Sequence, residues 1–504
     1  MMKKLLVYVY ILLFLFVSLV PSAGLFFTGI REPSENRDTA QIPRLHTEYG
    51  LNPYFLNDAG KWYEDHFAFR EEAVTGYALL LGKGFSVSAQ EGVIAGTGGW
   101  LFYKDSLADF QGTEPMTGRQ LFDVAHSLAM VQAYAHQNGT DFAFAAAPNK
   151  NSLYGEHMPY YYQPQHRGKS NLERLEAYLQ SEQVNYISLY KCFQNDSRVL
   201  YHKRDSHWNN IGAALAADRI LRGIGKAHAS YADREYTARK DFQGDLDRML
   251  YPSMPVLEEE IYYNPAPQFS YCGDVESNFD PKISTRSDGD GSLVMYRDSF
   301  GNSLLPFMAE AFENAWFSRA LPYRLQDLSE HGADALVIER AERFLPDMAQ
   351  QAPEMEAPAV VWDAAVMGAA IKAECLKETV KGEYTLVSGK LPMPVIKEQS
   401  RIYIRTGQDK CYEAFPVSAA DGQEGFSLLL RTVELQDAGR MYEVYVSEQE
   451  TEAAEKGSAK AAAGGQEAGE KTEIRREDYP DCDGSGHGYV EIYYSDGSME
   501  TEEY

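Results

Sequence analysis

The chain has 504 residues, too many for one small hydrophobic core, and this length favours two or three domains. Hydrophobic residues make up 44% and charged residues 24%, which is the composition of an ordinary folded protein. The formal net charge of -27 argues against a nucleic-acid partner, because phosphate binding requires clustered cations. We interpret the acidity as a property of the solvated surface, where it favours solubility.

The N-terminus carries an uncharged run over residues 5–30, which follows Lys3 and Lys4. Its apolar part approaches the roughly 20 residues that a bilayer span requires. Two lysines before the run and none directly behind it predict that the bulk of the chain lies outside the cell membrane. We therefore expect residues 1–30 to be an uncleaved anchor that holds an extracytoplasmic protein. A secreted protein with a cleaved signal peptide, cut near residues 20–24, is the alternative.

Residues 31–53 are polar and contain proline, and we interpret them as a tether. Over residues 54–375, predicted helices and strands alternate. Helical spacing and stop signals predict helices over residues 54–70, 121–136, 171–180 and 211–224, with another after residue 303. Short apolar runs predict strands over residues 141–147, 184–189, 292–296 and 333–338. This order is typical of an α/β domain with a mostly parallel sheet and helices on both faces.

The character of the sequence changes over residues 376–504. Short alternating runs separated by turn residues predict an all-β, sandwich-like domain; they read Y-T-L-V-S-G-K-L-P, R-I-Y-I-R-T, F-S-L-L-L-R-T-V, M-Y-E-V-Y-V and Y-V-E-I-Y-Y. Residues 452–471 are rich in Ala, Gly, Glu and Lys and predict a low-complexity loop. The tyrosines of these strands suit either carbohydrate binding or ordinary strand packing.

The five cysteines are scattered and form no C-x-x-C pair, so they indicate neither a zinc site nor a disulfide scaffold. An exported protein could form one disulfide among them, and the sequence does not indicate which cysteines it would join. The sequence predicts no metal ion, nucleotide or other cofactor.

A carboxylate and an imidazole lie two residues apart in the string Y-H-K-R-D-S-H-W. Asp205 precedes His207, and the small-residue helix predicted over residues 211–224 follows, so the pair lies on a turn before a buried helix. A carboxylate that holds an imidazole in one tautomer supplies two thirds of a nucleophilic triad. Taken singly, Asp205 could instead cap the helix and His207 could be a structural histidine.

A serine that could complete this triad follows the strand predicted over residues 292–296. Ser299 lies where that strand turns into a helix, so its hydroxyl would be exposed near free amides and the helix N-terminus. Serine is a weak nucleophile and needs a base, which His207 can supply. The alternative for Ser299 is an ordinary helix cap.

The string R-D-S-H-W-N-N-I-G resembles the D-x-H-W-x-x-x-G signature of the alginate O-acetylation proteins of the AlgX/AlgJ type, the DHHW family of SGNH-hydrolase-like proteins. Further segments resemble the family's blocks in the same order, over residues 54–345: D-H-F-A-F-R, G-W-L-F-Y, A-P-N-K-N-S-L-Y, D-S-F-G-N-S-L-L-P-F and A-D-A-L-V-I-E-R-A-E-R-F-L. The resemblance implies an SGNH-hydrolase-like domain whose triad runs Asp, His, Ser along the chain.

Carried over by position, the resemblance implies Asp205 as the residue that orients the imidazole, His207 as general base and acid, and Ser299 as nucleophile. The chain departs from the family pattern at Arg297, where a G-D-S block would have glycine. It also has Ser206 at the first histidine of a literal D-H-H-W, a position outside the triad.

For the oxyanion we expect the Ser299 amide and a side-chain donor. The candidates for that donor are Asn149, Asn302 and Arg297, with helix capping as the alternative role of Asn302. Lys150 is expected to be structural or to contact an anionic sugar.

The resemblance implies an O-acetyltransferase that modifies a cell-envelope or secreted polysaccharide through an acyl-serine. It also implies a membrane-bound O-acyltransferase partner that exports the acetyl donor, beside which the N-terminal helix would hold this domain. A carbohydrate acetylesterase with the same triad is one alternative, since acceptor choice depends on whether the site excludes water. A non-catalytic polysaccharide-binding assembly protein is the other.

Overall fold

The computed structural model describes residues 2–28, 39–47, 50–85, 87–164, 168–275, 277–363, 370–392, 396–407, 410–419, 422–437, 442–447, 473–479, 489–494 and 499–503. The predicted loop over residues 452–471 lies outside these described residues, as do residues 31–38 and 48–49 of the predicted tether. Of the cysteines, Cys192, Cys272, Cys375 and Cys411 are free thiols, and Cys482 lies outside the described residues.

The α-helices are, in chain order, α1 Met2–Thr28, α2 Phe55–His66, α3 Arg70–Phe85, α4 Leu107–Gln111, α5 Gly118–Gln137, α6 Lys150–Leu153, α7 Asn171–Ser181, α8 Leu189–Gln194, α9 Asn210–Gly223, α10 Asp245–Leu250, α11 Gly301–Ala311, α12 Gln326–His331, α13 Leu345–Gln350 and α14 Thr432–Asp437.

The strands before residue 364 are β1 His46–Thr47, β2 Gly50–Leu51, β3 Val93–Ala95, β4 Leu101–Tyr103, β5 Asp141–Ala147, β6 Tyr186–Ile187, β7 Tyr236–Phe242, β8 Glu258–Tyr263, β9 Ser270–Cys272, β10 Lys282–Arg286, β11 Ser292–Tyr296, β12 Asn314–Ser318, β13 Ala335–Ala341 and β14 Ala359–Val360. Those after it are β15 Ala370–Ile371, β16 Glu374–Lys381, β17 Tyr384–Lys390, β18 Ile402–Thr406, β19 Cys411–Ser418, β20 Glu424–Arg431, β21 Tyr442–Val446, β22 Glu473–Tyr479, β23 Tyr489–Tyr494 and β24 Met499–Glu503.

A seven-stranded mixed sheet forms the centre of the molecule, in the order β6-β5-β13-β11-β12-β10-β9. The five strands from β6 to β12 are parallel, whereas β10 and β9 add an antiparallel edge. The carboxyl ends of β5, β11 and β13 therefore lie at one edge of the sheet, where α/β proteins place their reactive groups. The predicted α/β class with a mostly parallel sheet is confirmed.

Side chains alternate between the two faces of this sheet, and each face is covered by helices. On β5, Ala143 and Ala145 pack into a core with the small residues of α9 and the apolar side of α11. Phe142 and Phe144 point to the other face and pack against α5 and α7. Because both faces are buried, the central strands are mostly apolar, as is usual for parallel strands between two helix layers.

Several elements were missed by the sequence prediction because their local signal is weak. The helix α3 contains three glycines, which lower its helical propensity. The strand β12 is a five-residue run directly after a helix, and it is too short to show the apolar–polar alternation that indicates a strand. The hairpin of β7 and β8 starts with a largely polar and exposed strand, and its pairing comes from tertiary context.

Among the described residues, one helix is long and apolar enough to cross a bilayer, over Lys4–Leu25. Its last turns contact the corner between α2 and α3. The amide of Ala68 donates to the Pro21 carbonyl at 3.3 Å, and the hydroxyls of Ser22 and Tyr63 are 2.8 Å apart. The apolar segment is therefore fixed to the domain at this corner, as either an anchor or a signal segment.

The strands β14 to β21 form an antiparallel all-β domain, which confirms the predicted class of this region. Strands β15 to β21 follow one hydrogen-bonded path that bends like a half-barrel at β19, and β14 pairs with β19 beside this path. The first half of β19 pairs with β18 and the second half pairs with β20. The strands β22, β23 and β24 form a separate antiparallel sheet.

Buried polar groups on α5 attach the all-β domain to the central domain. The guanidinium of Arg119 donates to the Ser400 carbonyl at 2.6 Å and pairs with Asp123 at 2.9 Å. The hydroxyl of Ser418 donates to the same Asp123 carboxylate at 2.6 Å. These contacts hold the all-β domain on one face of the sheet.

A buried histidine lies at the same interface, between two carboxylates. His126 on α5 bonds Glu182 through Nδ1 at 2.8 Å and Glu413 on β19 through Nε2 at 3.0 Å. Burial lowers the pKa of His126, but the hydrogen bonds to the two carboxylates outweigh it and raise the pKa above its usual value. The imidazolium form therefore stabilises this contact between the domains.

We expect His126→Gln to lower the free energy of unfolding by about 1.5–3 kcal/mol at acidic pH, the range for hydrogen bonds to charged groups. Because the pKa is raised on folding, this difference is fully present below the unfolded-state pKa of about 6.5 and disappears as the pH rises through the folded-state pKa. Urea unfolding at several pH values measures it. The exposed His136 on the same helix gives the control His136→Gln. A difference that does not change with pH would contradict this role.

Candidate active site

The Asp-His pair lies in a closed loop before α9. Tyr201 and Trp208 form a backbone bridge that closes this loop, and both side chains are buried. Asn209 caps α9, accepting hydrogen bonds from the amides of Ile211 and Gly212. The cap is therefore not Asp205, which leaves the Asp205 carboxylate free for the histidine.

The glycine at the end of the D-x-H-W-x-x-x-G string has a packing reason. A Cβ on Gly212 would lie 2.6 Å from the Leu200 carbonyl oxygen and 2.9 Å from the Trp208 Cβ. Only glycine lets the first turn of α9 approach the loop this closely. The glycine thereby sets the position of the residues immediately before the helix.

Lys150 organises the loop from inside. Its buried ammonium donates to the carbonyls of His202 and Lys203 at 3.1 Å each and also to the Asp205 carbonyl. Trp100 lies beside it, with the ring centroid 5.7 Å from Nζ. Of the two expected roles for this lysine, the contacts are those of the structural one.

Asp245 at the start of α10 holds the same loop from outside. Its carboxylate accepts hydrogen bonds from the amide and the hydroxyl of Ser206, and its own amide donates to Asp205 Oδ2 at 2.7 Å. A Cβ on Gly244 would lie 2.2 Å from the Arg204 carbonyl oxygen, so the two chain segments are in direct contact. The loop is thus fixed between Lys150 and Asp245.

The structure brings Asp205, His207 and Ser299 into one hydrogen-bonded series. Asp205 Oδ1 is 2.7 Å from His207 Nδ1 and also accepts the His207 amide at 2.8 Å. His207 Nε2 is 2.8 Å from Ser299 Oγ. With the Nδ1 proton directed to the carboxylate, Nε2 is left to accept the serine proton.

Ser299 lies on the turn between β11 and α11, and its hydroxyl does not cap that helix. No described residue accepts a hydrogen bond from its amide. The next residue, Phe300, is fully buried, and its ring centroid lies 4.9 Å from the rings of both His207 and Trp208. The ring of Phe300 therefore positions Ser299 against the imidazole.

The charges around His207 favour its protonated form. Burial lowers the pKa of His207, but the charge and hydrogen bond of Asp205, followed by the charge of Asp245, raise it above the usual value. Burial would raise the pKa of Asp205, but His207 and the hydrogen bonds from backbone amides lower it below its usual value. The carboxylate is therefore charged at neutral pH and stabilises an imidazolium.

A cavity of about 610 Å³ opens at His207 and Ser299. Mostly polar and aromatic side chains, with one methionine, line it: Arg70, Gln90, Tyr103, Ser206, His207, Asp245, Met249, Ser299, Arg343 and Phe344. A more open cavity of about 720 Å³ lies around Asp141 and Gly225, at the amino end of β5. We assign the candidate site to the first cavity, because it contains Ser299 hydrogen-bonded to His207 Nε2, the nitrogen that faces away from Asp205.

Arg297 and Asn302, both candidate oxyanion donors, contact each other and do not line this cavity. The buried guanidinium of Arg297 donates to Asn302 Oδ1 at 2.6 Å and to the carbonyls of Asn278 and Asp280 at 2.9 and 3.1 Å. Arg319 donates to the same amide oxygen at 2.5 Å. The structure thus does not direct either side chain to Ser299, and Asn302 does not cap the helix.

The structure shows how the chain accommodates Arg297 at the position where the family pattern would have glycine. A Cβ on Gly301 would lie 2.6 Å from the Cβ and Cδ of Arg297, so the glycine after the serine leaves room for the arginine side chain. Asn149 is buried, and neither of its amide atoms has a hydrogen-bond partner among the described residues. Its backbone amide donates to Glu342 at 2.8 Å, and Asn149 is not part of the cavity lining.

Sequence reasoning did not assign three charged residues of the cavity lining to the site: Arg70, Asp245 and Arg343. Asp245 lies 38 residues after His207 on another helix, and no local motif marks it. Arg343 belongs to the R-A-E-R-F-L string, where it could have been noticed as a basic residue just after a strand carboxyl end.

Asp205, His207 and Asp245 are also the described residues whose ligand atoms could together surround a metal ion, being within 4.8 Å of one another. Each of these atoms already has a hydrogen-bond partner. His207 Nδ1 bonds Asp205, and the Asp245 carboxylate accepts from Ser206. The contacts fit a hydrogen-bonded triad, and we derive no metal-dependent step.

Residues 93–267 match the family model described as "SGNH hydrolase-like domain, acetyltransferase AlgX". This match confirms the predicted resemblance. The matched segment contains Asp205, His207 and Asp245 and ends before Ser299. No curated protein matches the chain.

Solved structures give weaker similarities. PatB1 of Bacillus cereus is 16% identical, with a TM-score of 0.40, over 50% of this chain and 96% of that one. The O-acetyltransferase domain of Pseudomonas putida AlgJ is 16% identical, with a TM-score of 0.34, over 51% of this chain and 92% of that domain's chain. AlgX of Pseudomonas aeruginosa is 12% identical, with a TM-score of 0.35, over 70% of this chain and 93% of the AlgX chain.

We expect Lys150→Met to lower the free energy of unfolding by about 3 kcal/mol or more, because it leaves buried carbonyls without their donor at roughly 1–3 kcal/mol each. Denaturant unfolding of the full chain in detergent measures this loss. The matched control is Lys203→Met, since Lys203 is exposed and its Nζ lies 5.8 Å from the same Trp100 ring. Equal stability of the two variants would contradict the structural role of Lys150.

Proposed function

We propose that this chain is a membrane-anchored, extracytoplasmic O-acetyltransferase that acetylates hydroxyls of a polysaccharide through an acetyl-Ser299 intermediate. The single observation that carries this proposal is the series of hydrogen bonds from Asp205 through His207 to Ser299, at 2.7 and 2.8 Å, in one cavity. The adjoining match to an acetyltransferase family supports the reaction class.

In the first half-reaction, Ser299 Oγ attacks the carbonyl carbon of an acetyl ester, and its proton passes to His207 Nε2. Asp205 stabilises the imidazolium that forms. The unpartnered Ser299 amide supports the developing oxyanion. When the intermediate collapses, the bond to the donor oxygen breaks, and that oxygen takes the proton from His207.

In the second half-reaction, a sugar hydroxyl replaces the donor. His207, neutral again, takes the hydroxyl proton while the sugar oxygen attacks the acetyl carbon. Collapse returns the proton to Ser299 and releases the acetylated sugar. The same residues therefore serve both halves, as microscopic reversibility requires.

The proposed location rests on the apolar helix α1, which contacts the α2–α3 corner directly before Arg70, a residue of the cavity lining. An anchor there would hold the cavity near the membrane surface. A membrane-bound O-acyltransferase that exports the acetyl donor is the partner we propose on the basis of the family resemblance. The acceptor class, a polysaccharide, rests on the same resemblance.

We expect Ser299→Ala to abolish acetyl transfer, because the variant has no oxygen nucleophile. The measurement incubates the full-length protein in detergent with p-nitrophenyl acetate, with and without an oligosaccharide, and follows acetyl-protein and acetyl-sugar by mass spectrometry. Ser303→Ala, a serine on the first turn of α11, is the control and should react at the wild-type rate.

Other outcomes of this experiment separate the alternatives. Acetate release by the wild type with no acetyl-sugar would assign an esterase. Equal polymer acetylation in cells carrying wild-type protein or Ser299→Ala would favour a binding protein over an enzyme.

We expect kcat/KM for acetyl-Ser299 formation to rise with pH through a midpoint above 6.5, because His207 must be neutral to act as base and its pKa is raised. Asp245→Asn removes one of the negative charges that raise this pKa, so the midpoint should move to lower pH. The control is Asp241→Asn, since the exposed Asp241 carboxylate accepts a hydrogen bond from Tyr262 on a hairpin. A midpoint that Asp245→Asn leaves in place would contradict the electrostatic role of Asp245.

A further inference from the structure

An unpaired cation lies in the cavity that contains Ser299 and His207. Arg343 lines this cavity together with the two triad residues. No described residue accepts a hydrogen bond from its guanidinium or forms an ion pair with it, and its Nε is buried without a partner. Arg343 is half-buried, and of its guanidinium atoms only Nε is both shielded from water and unpaired, so its terminal N–H groups are available to a ligand in the cavity.

Other arginines at this end of the sheet have partners. The guanidinium of Arg297 donates to Asn302 and to backbone carbonyls, and Arg319 also donates to Asn302. Arg340, three residues before Arg343, donates to Asp347 at 3.5 Å. Of these four arginines, Arg343 is the one whose guanidinium donates no hydrogen bond to a described residue.

Three aromatic rings hold the Arg343 guanidinium. Its Cζ lies 4.6 Å from the ring centroid of Phe344, 5.4 Å from that of Phe300 and 5.5 Å from that of Tyr103. Aromatic faces attract a guanidinium and leave its N–H groups free to donate. The aromatic contacts thus fix the position of the cation without satisfying its hydrogen bonds.

The ring of Phe300 connects this cation to the reacting atoms. The His207 ring packs on the same Phe300 ring at 4.9 Å, and Phe300 directly follows Ser299 in the chain. Arg343 also lowers the pKa of His207 through its charge, while burial and the carboxylates have larger effects. The cation and the triad therefore belong to one site.

We propose that Arg343 is a catalytic residue that donates hydrogen bonds to the carbonyl oxygen of the acetyl group while that oxygen is negatively charged. This inference rests on the proposed function. As Ser299 Oγ bonds to the carbonyl carbon, the π electron pair moves to the oxygen and the serine proton passes to His207. Arg343 and the Ser299 amide bind this oxyanion. Collapse re-forms the carbonyl and breaks the bond to the donor oxygen, which takes the proton back.

The other side-chain candidates fit this role less well. Arg297 and Asn302 use their polar groups on each other, away from the cavity lining. Asn149 has a free amide, but it is buried and not part of the lining. Arg343 alone among these four side chains is unpaired and lines the cavity of Ser299.

The test uses phenylboronic acid, which forms an anionic tetrahedral adduct with a serine hydroxyl, and p-nitrophenyl acetate as acetyl donor. In full-length protein in detergent, Arg343→Gln should weaken boronate binding at least tenfold. It should also slow acetyl-Ser299 formation about 100-fold through kcat with little change in KM, as for the loss of one oxyanion donor. Arg343→Lys should retain part of both. Arg340→Gln is the matched control and should behave as wild type.

Wild-type boronate binding and acetylation in a folded Arg343→Gln protein would overturn the inference. An equal loss in Arg340→Gln would do the same, as would a loss in Asn149→Ala that Arg343→Gln does not share. If Arg343→Gln fails to fold, Arg343→Lys provides the test. A folded Arg343→Lys protein that retains none of the boronate binding or acetylation would contradict the role of a cationic donor. Failure of the proposed function looks different: wild-type protein would bind boronate in an Arg343-dependent manner and yet form no acetyl-Ser299.

Discussion

The site depends on the packing of one aromatic ring. Phe300 is fully buried and contacts the rings of His207 and Trp208 at 4.9 Å and that of Tyr201 at 6.1 Å. Aromatic side chains bury large areas with a defined geometry, so this contact fixes the serine turn against the loop that closes before α9. A hydrogen bond of 2.8 Å between Ser299 and His207 follows from that placement.

Buried acids join the ends of the neighbouring strands β11 and β13 beneath this ring. The Asp298 carboxylate accepts the amides of Phe300 at 2.9 Å and Ala341 at 2.7 Å, and Glu339 accepts the Asp298 amide at 3.1 Å. Burial raises the pKa of Glu339 well above its usual value. The serine turn and Arg343, two residues beyond Ala341, are therefore held on one rigid platform, which is the preorganisation that acyl transfer requires.

The all-β domain and the apolar N-terminal helix pack on different surfaces of the central domain. The all-β domain packs on α5 through buried polar contacts of Arg119, Asp123 and His126, and none of its described residues lines the cavity. The apolar N-terminal helix instead contacts the α2–α3 corner, next to the cavity residue Arg70. The apolar helix and the cavity of Ser299 are thus neighbours, whereas the all-β domain packs away from this cavity.

By itself, the sequence determined the features that depend on local pattern. These are the apolar helix, the alternation of strands and helices, the short alternating runs of the all-β domain, and the turns that carry Asp205, His207 and Ser299. Such features follow from side-chain periodicity and turn chemistry, which neighbouring residues encode. The strand β12 and the β7–β8 hairpin were not predicted, because they become strands through pairing with neighbouring segments and not through their own sequence pattern.

Only the tertiary structure decided which polar groups share the site. It paired Arg297 with Asn302, directed Lys150 to loop carbonyls, and brought Asp245 and Arg343 to His207 from distant segments. A side chain's partners depend on which strand ends and helix ends converge, and this requires the sheet order. The turns that carry Asp205, His207 and Ser299 could therefore be located from the sequence, whereas the charged groups around these residues were decided by the fold.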